Sequence, residues 1–132
     1  MSPWPTLVSL LALLLYFIVT INVGRARAKY GIPAPQMSGN PDFERVLRVQ
    51  QNMLEQLIFF LPALWIFCWY LNPLWGAGLG SLWVVGRILY AWGYYRAAEQ
   101  RGTGFALASL SSLVLLLGGL VGVILALVPA QG

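Results

Sequence analysis

Apolar residues form four long runs along the chain, and polar residues enter two of them at a spacing typical of one helix face. The first run covers residues 7–23 and the last covers about residues 105–128, and neither contains a charged side chain. A membrane-spanning helix needs roughly 20 mostly apolar residues, so each run is long enough to cross a bilayer. The pattern predicts helices over about 5–24, 41–71, 74–100 and 105–128.

Proline, glycine and asparagine mark the breaks between these helices. Residues 30–42 hold three prolines and two glycines, which is too many for a helix, and they form the one substantial loop. At its end, Asn40-Pro41 with acidic residues in the next turn is typical of a helix start. Asn72-Pro73 leaves a very short turn, which predicts an antiparallel hairpin of the second and third helices. The glycines of residues 102–104 predict a break before the fourth helix.

The composition is that of a membrane protein. The 132 residues are 59% hydrophobic and 9% charged, with a mean hydropathy of +0.74, whereas about 25% of residues are charged in soluble domains. The length allows one domain. We therefore expect a single all-α domain over residues 1–132, a four-transmembrane-helix bundle, in an integral multi-pass membrane protein.

The twelve charged residues all lie between Arg25 and Arg101, and their distribution predicts the orientation. Five of the eight basic residues fall between the first helix and the early part of the second. Because cytoplasmic loops are rich in Lys and Arg, the charged connections are expected to face the cytoplasm. A bacterial inner membrane is preferred, or the endoplasmic reticulum in a eukaryote. The basic residues form no stripe interleaved with aromatics, so the net charge of +4 does not indicate nucleic-acid binding.

Two rows of polar side chains interrupt the second and third apolar runs. Spacings of three and four residues put neighbouring members on one helix face. Ionised groups persist at membrane depth mainly where they face a protein-lined or ligand-filled cavity. A polar small-molecule site is therefore the leading hypothesis. The rows are Arg48, Asn52 and Glu55 in the second helix, and Arg87, Tyr90, Tyr94 and, two turns on, Arg101 in the third.

The chemistry of these rows predicts the class of ligand. Arginine matches carboxylates, a carboxylate such as Glu55 matches an ammonium group, and Asn and Tyr donate and accept hydrogen bonds. The complement is a zwitterionic, peptide-like molecule. Simpler interpretations stay open: Arg48 and Glu55 as an ion pair, the tyrosines as interface aromatics, and Arg96 and Arg101 as orientation signals.

No metal cofactor is expected. The chain has no histidine and no acidic cluster, which argues against a transition-metal site. The only cysteine, Cys68, lies among apolar residues, and we expect it to be a buried, inert thiol.

Two sequence blocks resemble one membrane-protein family. The first is FERVLRVQQN at residues 43–52, continuing to Glu55, and the second is Gly86-Arg87-x-x-Tyr90-x-x-Gly93-Tyr94 followed by Arg101. They resemble the second and third helices of the MAPEG family, which comprises microsomal glutathione transferases, leukotriene-C synthase and the lipoxygenase-activating protein. Gly39-Asn40-Pro41 and Arg25-Ala26-Arg27 fit the same pattern, so the resemblance extends over essentially the whole chain.

The resemblance implies a four-helix protomer in a homotrimer, with glutathione bound on the cytoplasmic side between neighbouring subunits. By matching position, Arg101 is the thiolate-stabilising arginine. Arg27 and Gln50 reach the site from the neighbouring subunit. The side chains expected to bind glutathione from one protomer are Arg48, Asn52, Glu55, Tyr90 and Tyr94, with Arg87 in the same row.

The activity implied is a membrane-bound glutathione transferase with possible peroxidase activity, acting on lipophilic electrophiles or lipid hydroperoxides that arrive from the bilayer. Ala28 and Gln56 stand where leukotriene-C synthase has an arginine and a tyrosine, which favours a general transferase or peroxidase over leukotriene-type activity. Two other interpretations are a non-catalytic lipid-binding scaffold of the same fold and a small multidrug exporter. Arginines beside Glu55 would repel a cationic drug, and this disfavours the exporter.

Overall fold

The computed structural model describes residues 2–129 and consists of four long α-helices. They are α1 (Trp4–Tyr30), α2 (Pro41–Tyr70), α3 (Pro73–Arg96) and α4 (Gly102–Leu127), and a 3-10 turn at Ala98–Arg101 leads into α4. By length and composition, each long helix is able to cross a membrane. The prediction of an all-α, four-helix membrane fold is confirmed.

The two Asn-Pro pairs set the starts of α2 and α3. The Asn40 side-chain oxygen accepts hydrogen bonds from the backbone N–H groups of Asp42 and Phe43, at 2.9 and 3.1 Å. Asn72 does the same for Leu74 and Trp75, at 2.9 and 3.0 Å. These bonds satisfy N–H groups that have no partner within the helix. Proline follows each cap because the first helical residue needs no free N–H.

The first helix does not end near residue 24, and this boundary was wrong. It continues to Tyr30 and ends at Gly31, which adopts φ 67° and ψ 38°. The added turns remain helical because Val23 and Ala26 are buried in a small apolar cluster with Phe43 and Leu47. The charged residues mark where the apolar run ends, and the helix itself extends beyond that point.

The expected break at residues 102–104 was also wrong. The chain leaves helical geometry at Ala97, with φ −166° and ψ 142°, so α3 ends at Arg96 rather than near residue 100. Gly102 is helical, with φ −62° and ψ −43°. Gly104 is buried, and a Cβ there would lie 2.6 Å from the Gly86 carbonyl oxygen. The lack of a side chain at Gly104 lets α3 and α4 approach closely, as small residues do in membrane bundles.

The bundle core lies between α2 and α3. Phe60 of α2 and Trp83 of α3 are fully buried and stack with ring centroids 3.9 Å apart. Both α1 and α4 pack against each of these helices. The outer surface remains apolar, with Leu14, Ile58 and Leu125 each more than half exposed. An exposed apolar surface of this extent suits a lipid environment.

Candidate functional site

A polar cavity lies at the end of the bundle where α1 and α3 end and α2 and α4 begin, which we call the charged end. Its volume is about 510 Å³, within the range of small-molecule sites. Five of the nine predicted site residues line it. We call it the Arg101 cavity, and its lining residues are Arg48, Asn52, Tyr90, Tyr94, Ala98, Glu99, Arg101, Gly102 and Phe105.

The second helix contributes a cation and a free acceptor to this cavity. Arg48 is exposed, and its Nη1 donates to Gln51 Oε1 at 3.3 Å, leaving its other N–H groups open. The side-chain oxygen of Asn52 is buried and has no hydrogen-bond partner within residues 2–129. Because an unpaired buried acceptor is costly, Asn52 is suited to receive an N–H group from a ligand.

The third helix contributes a pair of tyrosines. The Tyr90 and Tyr94 rings meet edge-to-face, with centroids 5.6 Å apart. Phe105 of α4 also packs against Tyr90, at 6.0 Å between centroids. These ring contacts fix the two hydroxyl-bearing side chains at the cavity wall.

Arg87 lies behind this wall and not in the cavity. It is only 2% exposed, and its guanidinium carbon is 4.1 Å from the centroid of the Tyr90 ring. None of its side-chain nitrogens has a hydrogen-bond partner in the described part of the chain. Arg87 therefore contacts the site through the face of Tyr90.

Arg101 reaches the cavity from the 3-10 turn. Its guanidinium lies over Tyr94, 5.2 Å from the ring centroid, and its Nη1 donates to the Ala98 carbonyl. The turn folds back onto α3 at Gly93, where a Cβ atom would collide with the carbonyl oxygen of Gln100. The absence of a side chain at Gly93 thus allows Arg101 to lie beside the tyrosines.

Three predicted site residues lie away from the cavity. Glu55 is exposed about one helical turn beyond Asn52, and it forms no ion pair with Arg48 within residues 2–129. Gln50 Nε2 donates to the Tyr16 hydroxyl at 3.1 Å, on the α1 side of α2. Arg27 Nη1 donates to the Gln36 carbonyl at 2.6 Å, with its guanidinium over Phe43.

The cavity is also lined by two residues with a charged or aromatic side chain that the sequence analysis did not predict. Glu99 brings a carboxylate from the 3-10 turn, and Phe105 brings an aromatic ring from the first turn of α4. Glu99 stands two residues before Arg101, which is off the helical spacing used to find the rows. Its place depends on the break at Ala97, for which the sequence offers no proline or glycine.

The amino-acid sequence matches a known family over most of the chain. A sequence profile of the MAPEG family matches residues 5–121. The chain belongs to the MAPEG family. The resemblance seen in the two sequence blocks is therefore confirmed, and the four apolar helices are those of an integral multi-pass membrane protein.

Three individual proteins are similar to this chain over more than two thirds of its length. An uncharacterised protein of Synechocystis sp. is 60% identical over 121 residues, covering 92% of this chain and 88% of that protein. Human microsomal glutathione S-transferase 2 is 45% identical over 101 residues, covering 76% and 69%. Leukotriene C4 synthase of Cavia porcellus is 37% identical over 94 residues, covering 71% and 63%.

Proposed function

We propose that this chain is a membrane glutathione transferase that activates glutathione as its thiolate and also reduces lipid hydroperoxides. The observation that carries the proposal is the Arg101 cavity, in which two arginines, an unpaired amide oxygen and two tyrosines meet. Similarity to microsomal glutathione S-transferase 2 of human and cattle, at 45% and 46% identity, supports the same class of reaction.

The lining matches the functional groups of glutathione, which has two carboxylates, one ammonium group and one thiol. Arg48 presents a guanidinium that pairs with a carboxylate in bidentate geometry. The Asn52 oxygen is suited to accept from a peptide or ammonium N–H, and Glu99 offers a carboxylate to the ammonium group. Tyr90 and Tyr94 supply hydroxyls at the wall, and Arg87 supports Tyr90 from behind.

The site is proposed to be completed by neighbouring subunits of a homotrimer. If the roughly 20 residues before Tyr70 span the hydrocarbon, Glu55 lies within it, where an ionised carboxylate facing lipid is costly. A neighbour covering this face of α2 relieves that cost. Arg27 and Gln50, which lie away from the cavity of their own chain, then contribute to the site of the adjacent protomer.

Arg101 is proposed to hold the sulfur of bound glutathione as a thiolate. A free thiol has a pKa of about 8.5, so only a few per cent is ionised at neutral pH. Lowering that pKa to about 6.5 requires about 2.7 kcal/mol of preferential thiolate stabilisation. A guanidinium about 4 Å from the sulfur supplies about 4 kcal/mol at an effective dielectric constant of about 20. One hydrogen bond to Ala98 leaves the other Arg101 N–H groups available.

The same thiolate serves both reactions. In conjugation, sulfur attacks an electrophilic carbon, the C–S bond forms, and the leaving group departs with the bonding electrons. In peroxide reduction, sulfur attacks the terminal hydroperoxide oxygen and the O–O bond breaks, releasing an alcohol and a sulfenic acid. A second glutathione then displaces water from the sulfenic sulfur and forms the disulfide. Apolar substrates reach the sulfur from the bilayer, with the charged end facing the cytoplasm.

Purified protein provides the direct test of the proposed activity. Detergent-solubilised protein is assayed for glutathione conjugation to 1-chloro-2,4-dinitrobenzene and for glutathione-dependent reduction of cumene hydroperoxide. Conjugate formation above the uncatalysed rate supports the transferase, and oxidised glutathione formed in step with alcohol supports the peroxidase. Binding of glutathione with neither product would contradict the proposal and favour a non-catalytic scaffold.

Replacing Arg48 with alanine is expected to weaken glutathione binding. A hydrogen bond to a charged group contributes about 1.5–3 kcal/mol, so the dissociation constant should rise at least tenfold. Arg45→Ala is the matched control, because Arg45 lies three residues away on α2 and pairs with Asp42 outside the cavity. Isothermal titration with glutathione measures both variants. Equal weakening in the two variants would show that only net charge matters.

A further inference from the structure

A second polar cavity lies at the charged end, on a different face of α3 from the Arg101 cavity. It has a volume of about 390 Å³ and shares no lining residue with the first. Tyr94 lines one cavity and Tyr95 the other, because successive helical residues point about 100° apart. We call it the Lys29 cavity, and it is lined by Asn22, Arg25, Ala26, Lys29, Tyr30, Val46 and Tyr95.

The Lys29 cavity presents hydrogen-bond donors and positive charge. Arg25 and Lys29 are one turn apart on α1, and neither forms an ion pair within residues 2–129. Asn22 Nδ2 donates to the Tyr95 hydroxyl oxygen at 3.1 Å, which leaves the hydroxyl hydrogen of Tyr95 free to donate in turn. None of the lining residues is acidic. The lining therefore suits an anion with several acceptor oxygens.

The depth of the cavity matches the phospholipid headgroups. On α1, Arg25 lies 21 residues after Trp4, a rise of about 32 Å at 1.5 Å per residue. On α3, Tyr95 lies 20 residues after Trp75, a rise of about 30 Å. The hydrocarbon core is about 30 Å thick and interfacial tryptophans mark its edge, so the cavity opens at the other edge.

Apolar surface continues from the cavity toward the middle of the membrane. Ile18 lies one turn before Asn22 on α1, and Ile88 lies two turns before Tyr95 on α3. They are 45% and 47% exposed, respectively. An amphiphile with its anionic group in the cavity would place its acyl chains against this apolar surface. A soluble anion would make no contact with it.

We propose that the Lys29 cavity binds a phosphate group carried by an anionic phospholipid such as phosphatidylglycerol. Arg25 and Lys29 pair with the phosphate, and the Tyr95 hydroxyl donates to a third oxygen. The acyl chains follow the outer faces of α1 and α3. This site is separate from the proposed glutathione site and does not depend on catalysis.

Lipid binding to the full-length protein in detergent tests the proposal. Affinity is measured from the rise in the thermal unfolding midpoint on titration with short-chain phosphatidylglycerol. A cation near an anionic headgroup contributes about fivefold, so Arg25→Gln should weaken binding about fivefold and the Arg25→Gln/Lys29→Gln double variant about 30-fold. Tyr95→Phe, which keeps every charge, should weaken it about tenfold.

Arg96→Gln is the matched control, because it removes one exposed cation from the charged end outside the cavity. It should change phosphatidylglycerol affinity less than twofold. Zwitterionic phosphatidylcholine should bind more weakly than phosphatidylglycerol, since its choline adds a cation. If inorganic phosphate alone raised the unfolding midpoint as much as the lipid does, the cavity would be a phosphate site for a soluble anion, and the lipid assignment would be overturned. Equal losses in Arg25→Gln and Arg96→Gln, or no preference over phosphatidylcholine, would overturn the proposal.

Discussion

Replacing Arg101 with alanine is expected to lower kcat for glutathione conjugation about 25-fold at pH 7 with glutathione saturating, because the ionised fraction of bound thiol falls from about 75% at a pKa of about 6.5 to about 3% at a pKa of about 8.5. The loss follows because bound glutathione then ionises near its solution pKa of about 8.5. As the pH rises through that value, the thiol ionises without help, so the deficit should shrink. Initial rates of conjugation between pH 6 and pH 9 measure both the loss and its recovery.

The control for Arg101→Ala is Arg96→Ala. Arg96 is also exposed at the charged end, where it lies over Trp92 at 4.8 Å and does not line the Arg101 cavity. Its pH–rate profile should match that of the unmodified protein. A uniform loss in Arg101→Ala at every pH would indicate that Arg101 binds glutathione without lowering the pKa of its thiol.

Gly104 does not line the Arg101 cavity, yet replacing it with alanine is expected to disrupt the geometry of that cavity. A Cβ at Gly104 would lie 2.7 Å from the Tyr90 Cα and would collide with the Tyr90 backbone nitrogen. Backbone atoms have no alternative rotamer, so α3 and α4 must separate at a cost of about 1–3 kcal/mol. Displacement of the tyrosines relative to Arg101 by about 1 Å should reduce turnover on the order of 100-fold.

Gly102→Ala is the matched control for Gly104→Ala. Gly102 lies two residues earlier in the same first turn of α4, and a Cβ there would meet no atom of residues 2–129 within 4 Å. Because Gly102 is already helical, alanine should leave stability unchanged or raise it by about 0.5–1 kcal/mol. Thermal unfolding is compared for both variants, since Gly102 itself lines the Arg101 cavity and serves as a control for stability alone. The conjugation rate of Gly104→Ala is compared with that of the unmodified protein. Equal behaviour of the two would contradict the close α3–α4 contact at Gly104.

Helical periodicity accounts for the part of the site that the sequence predicts. Arg48 and Asn52 are four residues apart on α2, as are Tyr90 and Tyr94 on α3, so their positions follow from the geometry of a single helix. The helices themselves follow from the long apolar runs. The structure brings both pairs into one cavity with Arg101.

Features that depend on contacts between distant segments are not visible in the sequence. The glycines at 102–104 resemble a helix-breaking segment. Gly104 is instead helical, and a side chain there would collide with the backbone of Tyr90 on α3. The actual break in the helix occurs at Ala97, and alanine is a strong helix former that gives no sign of a break in the sequence. Likewise, the Lys29 cavity depends on a hydrogen bond between Asn22 and Tyr95, which are 73 residues apart.

The central claim is that Arg101 lowers the thiol pKa of bound glutathione, and thiolate formation tests it most directly. Glutathione is mixed with detergent-purified protein at pH 7 in a stopped-flow instrument, and the ultraviolet absorbance of the thiolate is followed. A thiolate signal in the unmodified protein and in Arg96→Ala, lost in Arg101→Ala while glutathione still binds, is the predicted result. An undiminished signal in Arg101→Ala, or none in the unmodified protein despite binding, would contradict the claim.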